Sequence, residues 1–182
     1  MTEEQNRLHA TTVVGIIHQG RVALGADGQA TMGATIVKNN VKKVRKIGEG
    51  NILVGYAGST SDAFTLVERF EEKLNMHRGN LRRAAIELAK DWRSDRFLRR
   101  LEAMLIVMDA QEGLLISGTG DVISPEDEVL AIGSGAPYAR AAALALKKHA
   151  PQLGAEQMVR ESLGIAADIC IYTNHNFEIL AL

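Results

Sequence analysis

The first sustained apolar stretch opens at Thr12, where Val13, Val14, Ile16 and Ile17 crowd around Gly15. A β-branched run of this kind reads as a buried strand. Gln19-Gly20 supplies a two-residue turn, and residues 22–26 return as the hairpin partner, ended by Asp27-Gly28. A second pair of strands, 41–47 and 52–57, flanks the turn Gly48-Glu49-Gly50. Lys38, Lys42, Lys43, Arg45 and Lys46 alternate irregularly with valines there, as on a strand with one wet face.

The period then changes from that of a strand to that of a helix. Ala63, Val67, Phe70 and Leu74 fall four, three and four residues apart, with Ser61 as a candidate N-cap. His77-Arg78-Gly79 breaks this helix, and Asn80 caps a second one with Leu81, Ala85, Leu88 and Trp92 on one face. Strands return at 103–108 and 114–117, around a turn at 109–113, and again at 129–132. An alanine-rich helix over 137–149 is stopped by Pro151, and a further helix over 155–166 keeps Val159, Leu163 and Ala166 in register. Residues 177–182 close the chain as a strand.

Strands, two helices, strands, two helices and a last strand is the wrong order for alternating βα units. Two antiparallel sheets packed together, each with a helix pair outside, would bury every apolar face. No repeat or linker divides the chain, so residues 11–182 form one domain. The 182 residues suit that size, and 46% hydrophobic against 24% charged residues is enough apolar material for a core.

Charge and cysteine content narrow the function classes. A net charge of -1 gives no footprint for nucleic acid or an anionic membrane, and no apolar run approaches the ~20 residues that span a bilayer. Cys170 is the only cysteine, so no intrachain disulfide forms, and a reducing cytoplasmic home fits. Residues 1–10 are polar, lack the apolar centre of a secretory signal, and read either as a frayed tail or as a removable leader.

Familiar catalytic signatures are missing. There is no G-x-S-x-G elbow, no H-E-x-x-H, no P-loop and no dinucleotide fingerprint, and His9, His18, His77, His149 and His175 are scattered. What remains is the pair Thr11-Thr12 at the start of the first strand. A threonine hydroxyl needs a base, and an α-amine with a pKa near ~7.7–8.0 can serve at neutral pH. That chemistry requires the threonine to be the first residue of the chain. Taken alone, the pair is better explained as two β-formers.

The ordered set Thr11-Thr12-Val13-Val14, Gly25-Ala26-Asp27-Gly28-Gln29-Ala30-Thr31 and Asn40-Val41-Lys42-Lys43-Val44-Arg45 resembles the HslV family, bacterial relatives of proteasome β-subunits. The likeness continues through Gly55-Tyr56-Ala57-Gly58, Asp62-Ala63-Phe64-Thr65-Leu66, Glu87-Leu88-Ala89-Lys90-Asp91-Trp92-Arg93, Ala131-Ile132-Gly133-Ser134-Gly135 and Asp168-Ile169-Cys170-Ile171-Tyr172-Thr173-Asn174. The family fold is α+β, the four-layer αββα sandwich of N-terminal-nucleophile hydrolases, in agreement with the element order.

The resemblance implies a threonine endopeptidase and assigns roles. Thr11 matches the nucleophile and Lys43 the active-site lysine, whose ammonium favours the neutral amine; alternation alone leaves Lys42 equally available. Asp27 matches the acid paired with that lysine, while also suiting the turn before Gly28. Gly55 matches the glycine whose N–H faces the oxyanion, with a side chain there expected to obstruct substrate. Ser134 matches a serine near the nucleophile's amine and also suits a helix N-cap.

The family's sodium site, made of main-chain oxygens, matches Ala167, Cys170 and Thr173, with Ala167 standing where glycine is usual. The resemblance further implies two stacked hexameric rings enclosing polypeptide substrates and an HslU-type AAA+ ATPase as partner, since this chain has no ATP motif. In many family members little more than the initiator Met precedes the nucleophile. Here ten residues precede Thr11, so residues 1–10 are expected to be removed as a leader. An N-terminal-nucleophile amidase acting on small amides and a non-catalytic ring subunit are the rival readings. The first needs no ATPase, and the second would have lost Thr11, Asp27 and Lys43.

Overall fold

A computed structural model describes residues 8–9, 11–98 and 103–182. Most of the expected leader, residues 1–7 and 10, therefore lies outside the described residues. A two-residue strand β1 (Leu8–His9) precedes the hairpin of β2 (Thr12–His18) and β3 (Arg21–Asp27). Gln19 and Gly20 both take positive φ (50° and 73°), the turn geometry that suits the twist of a tight hairpin. A short hairpin follows, β4 (Ala30–Met32) and β5 (Thr35–Lys38), and then β6 (Val44–Ile47) and β7 (Ile52–Gly58). After α1 (Thr60–Met76) and α2 (Leu81–Ser94) come β8 (Ala103–Met108), β9 (Gly113–Ser117), β10 (Val122–Ile123) and β11 (Val129–Gly133). The described chain ends with α3 (Ala136–His149), α4 (Ala155–Ile169) and β12 (Phe177–Ala181).

Two main sheets form, in strand orders β10-β9-β8-β7-β6 and β11-β2-β3-β12, and every pairing is antiparallel. Strand alternation sorts β2 between two cores. Val13 and Ile17 point into the layer between the sheets with Leu24, Leu53, Ile106 and Ile132. Val14 and Ile16 point the other way, onto Ala139, Met158, Val159 and Leu163 of α3 and α4. On the far sheet Val54, Tyr56, Leu105 and Val107 meet Phe70, Leu88 and Trp92 of α1 and α2. The result is the four-layer αββα sandwich that the element order predicts.

Several local expectations change. The first helix starts at Thr60 with Ser59 at its N-cap, so Ser61 is not the capping residue. Asn80 does cap α2, its Oδ1 accepting the Arg83 N–H at 2.8 Å. Strand β6 starts at Val44 and not at 41, which leaves residues 39–43 outside any strand. The hairpin β4–β5 escapes sequence reading because β5 is exposed along its whole length, so no buried face marks it. Helix α4 runs to Ile169, beyond the expected 166, which places Ala167 inside its last turn.

Candidate functional site

The site forms where β2 begins, β3 ends and the 39–43 segment approaches β6. Asp27, the last residue of β3, is 1% exposed, yet both its oxygens are fully engaged. Its Oδ1 accepts the Thr12 N–H at 2.8 Å and the Lys43 ammonium at 2.9 Å. Its Oδ2 accepts the Gln29 N–H at 2.9 Å and the Asn174 N–H at 3.2 Å. Burying a carboxylate costs several kcal/mol unless it is paired and hydrogen-bonded, and this one is both.

Lys43 completes the pair. Its ammonium also donates to the Gln29 carbonyl at 2.7 Å, and its side chain is 3% exposed. Burial pulls the lysine pKa below its ordinary value, while the charge of Asp27 and the hydrogen bond to it oppose that shift. Lys42, indistinguishable from it by alternation, is 84% exposed at the side chain and faces Glu178 at 3.8 Å. The structure thus separates two lysines that strand periodicity left equivalent.

Thr11 is buried one residue before the Thr12 amide that Asp27 holds. Its carbonyl accepts the Ser134 N–H at 2.8 Å. That contact requires Gly133, whose φ is +95° and whose Cβ, if present, would stand 2.0 Å from the Thr11 oxygen. Ser134 is exposed, and the N-cap of α3 is Gly135, so the expected capping role of Ser134 is not realised. Next door, Thr12 Oγ1 accepts the Gly135 N–H at 3.0 Å and shares a 2.7 Å hydrogen bond with Thr173 Oγ1.

Gly55 sits mid-strand in β7, opposite Val44 and Ile106. A Cβ there would meet Val13 Cγ1 at 2.7 Å and Leu24 Cδ2 at 3.2 Å. The room that glycine leaves is filled by the inter-sheet core, so a side chain there would first meet Val13 and Leu24. Gly55 nonetheless lies against Val13, two residues from Thr11.

Ala167, Cys170 and Thr173 lie at the C-terminal end of α4 and just past it. Ala167 has ordinary helical backbone with negative φ, so its replacement of a glycine costs the carbonyl nothing. Cys170 is the C-cap, and its carbonyl accepts the Thr173 N–H at 3.0 Å, leaving one lone pair. Ala167 therefore lies in the last turn of α4, whereas Cys170 and Thr173 lie past it. No group of three His, Cys, Asp or Glu side chains suited to a metal occurs among the described residues, so a metal here would rest on main-chain oxygens.

Sequence reasoning missed two contributors. Tyr56 donates its hydroxyl to the Lys42 carbonyl at 2.7 Å, and its N–H donates to the Lys43 carbonyl at 3.1 Å. Asn174 contacts Asp27 and the neighbouring segments. Both stood within quoted motifs, but nothing in residue type or spacing distinguished them. A cleft of about 1160 Å³ lies elsewhere, among residues such as Glu49, Leu74, Arg78, Arg82 and Leu182, and none of the site residues lines it.

The family model described as Proteasome subunit matches residues 8–182. The chain is 69% identical over 173 residues to the ATP-dependent protease subunit HslV of Cytophaga hutchinsonii, covering 95% of this chain and 96% of that protein. It is 63% identical to the subunit of the same name from Amoebophilus asiaticus, covering 95% and 97%. Among solved structures, eukaryotic HslV from Trypanosoma brucei superposes with a TM-score of 0.89 at 43% identity, covering 94% of this chain and 98% of that one.

Proposed function

The chain belongs to the proteasome family and within it to the HslV group of ATP-dependent protease subunits, threonine peptidases with an N-terminal nucleophile, and from that premise we propose that Thr11 carries the chemistry. The observation that supports this most directly is the single oxygen of Asp27 that takes both the Thr12 amide and the Lys43 ammonium. It anchors the backbone next to Thr11 and the nearby positive charge to one point.

In the proposed mechanism the leader is gone and Thr11 has a free α-amine. The amine takes the Thr11 hydroxyl proton as the oxygen attacks a peptide carbonyl. The Lys43 charge keeps that amine neutral and lowers the cost of the developing alkoxide. The Gly55 N–H donates to the tetrahedral oxyanion. Collapse expels the amine product, which receives the proton from the α-ammonium. Water then attacks the Thr11 ester, the α-amine again takes the proton, and the acid product leaves with Thr11 restored. Ser134, whose N–H holds the Thr11 carbonyl, fixes the nucleophile's backbone during these steps.

A sodium ion on the main-chain oxygens of Ala167, Cys170 and Thr173 belongs to the same proposal. Helices α1, α2 and α3 carry Lys73, Arg93, and Lys147, Lys148 and His149 in their last turns, whereas α4 has no basic residue there. The last turn of α4 thus supplies no cation of its own to the helix's negative end, and hard oxygen donors suit a hard ion. Bound there, sodium would neutralise that end and stiffen the 170–174 segment.

Assembly as two stacked hexamers, fed by an HslU-type ATPase, fits a chain with no ATP motif of its own. Exposed Met32, Ile36, Val37, Ile165, Ile169 and Ile171 offer apolar area for subunit contacts. No described helix is long and apolar enough to cross a membrane, and a cytoplasmic location is part of this reading.

The test compares wild type with Thr11→Ala on an unstructured polypeptide, with and without the ATPase and ATP. We expect hydrolysis by wild type only with both added, and none by the variant, with the same number of subunits assembled in each. Activity without the ATPase on small amides alone would favour the amidase reading, and an active Thr11→Ala would end the proposal.

A further inference from the structure

Residues 39–43 carry Lys43 into the site although no strand holds them. Asn39, Asn40 and Lys42 are exposed, and only Lys43 is buried. Some other device must fix this backbone, because a lysine delivered by a wandering segment could not keep its ammonium on Asp27. Tyr56 grips the far end at the Lys42 and Lys43 carbonyls. The near end is held from the opposite side of the molecule's sequence, by the segment after α4.

We propose that Asn174 is a positioning residue that sets Asp27 and Lys43 relative to each other; this rests on the threonine-peptidase reading above. Its backbone N–H donates to Asp27 Oδ2 at 3.2 Å. Its side-chain Oδ1 accepts the Gly28 N–H at 3.1 Å, and its Nδ2 donates to the Asn39 carbonyl at 3.0 Å. One residue therefore touches the carboxylate, the turn behind it and the start of the lysine segment. The Oδ1 also accepts the Asn176 N–H at 3.1 Å, a local turn that orients the amide, but the other three bonds cross more than a hundred residues.

The surroundings are built for that clamp. The Gly28 carbonyl accepts the Val41 N–H at 2.9 Å, so β3's end and the lysine segment lie backbone to backbone. A Cβ at Gly28 would stand 2.5 Å from the Asn39 oxygen, the very atom that Asn174 binds. Thr173, the residue before, is tied to Thr12 by the hydroxyl pair. Neighbouring residues thus secure the nucleophile strand, the acid and the lysine segment together. Removing the Asn174 amide leaves the fold's sheets intact but frees the path that sets the Lys43–Asp27 geometry.

Misplacing a catalytic group by about 1 Å can cost on the order of 100-fold in rate, so the effect belongs in kcat. In the assembled particle with its ATPase and ATP, cleaving a short fluorogenic peptide amide, Asn174→Ala should lower kcat at least roughly 10-fold with KM unchanged. Asn176→Ala removes only a second bond to the Asn39 carbonyl and should stay near wild type. If the alanine variant fails to assemble, Asn174→Asp keeps the Oδ1 acceptor and loses the Nδ2 donor, and the same fall in kcat at constant KM is expected. A wild-type kcat in Asn174→Ala (or in Asn174→Asp, if that variant must be used), an effect confined to KM, or an equal loss in Asn176→Ala would overturn the proposal. Those results with an inactive Thr11→Ala would leave the peptidase reading standing, whereas an active Thr11→Ala would remove its basis.

Discussion

Lys43 shows how one residue's surroundings set a pH response. Burial lowers its pKa below the ordinary ~10.4 of lysine, with Asp27 working against the shift. Between the lowered folded value and the unfolded one, the unfolded chain holds a proton that the folded chain has released. Stability therefore gains from this group as pH rises through that window, whereas a mechanism that needs the ammonium loses activity there. Tyr56 does not confuse the reading, because burial pushes its phenol up from its usual value. We expect kcat to fall on the alkaline side at a pH below ~10.4 while the unfolding temperature shows no matching drop. Parallel measurement of both against pH checks this; a rate that holds until the protein unfolds would deny Lys43 its electrostatic role.

At the level of elements, stability and catalysis are separable. Asn80 caps α2 through the Arg83 N–H, and α2 packs on the sheet face away from the site. Asn80→Ala should cost about 1 kcal/mol in chemical denaturation while kcat stays unchanged below the transition. The same division explains what the sequence made legible. Period-2 and period-3.6 patterns come from burial, so the longer strands and helices with a buried face could be read, including the order that produces the sandwich, while the two-residue β10 was missed. Hairpin β4–β5 buries almost nothing and left no pattern. Asp27 and Lys43 were reached only through family likeness, because a buried ion pair formed by residues sixteen apart has no local signature, and the same likeness chose Thr11 from the Thr11-Thr12 pair. Asn174 was harder still: its bonds to Asp27, Gly28 and Asn39 depend on where α4 ends, which spacing placed too early.

For the whole molecule, the leader decides whether any of this machinery can turn over. With residues 1–10 attached, the Thr11 nitrogen is an amide and cannot act as base. Leu8 and His9 pair antiparallel with Met32 and Thr31 of β4, so these two residues add a short strand to the edge of the hairpin. An extended substrate docking by main-chain hydrogen bonds would use that same edge. On this reading residues 1–10 would block the site twice, by masking the amine and by placing Leu8 and His9 on β4. We expect self-processing, in which the Thr11 hydroxyl attacks the Ala10 carbonyl and water resolves the ester to leave Thr11 first. Intact-mass measurement on wild type and Thr11→Ala separates the possibilities. Self-processing gives a wild-type chain beginning at Thr11 and a variant that keeps its leader. Trimming of both chains would assign the cut to another protease, and a full-length wild type that still cleaves peptides would refute the free-amine mechanism.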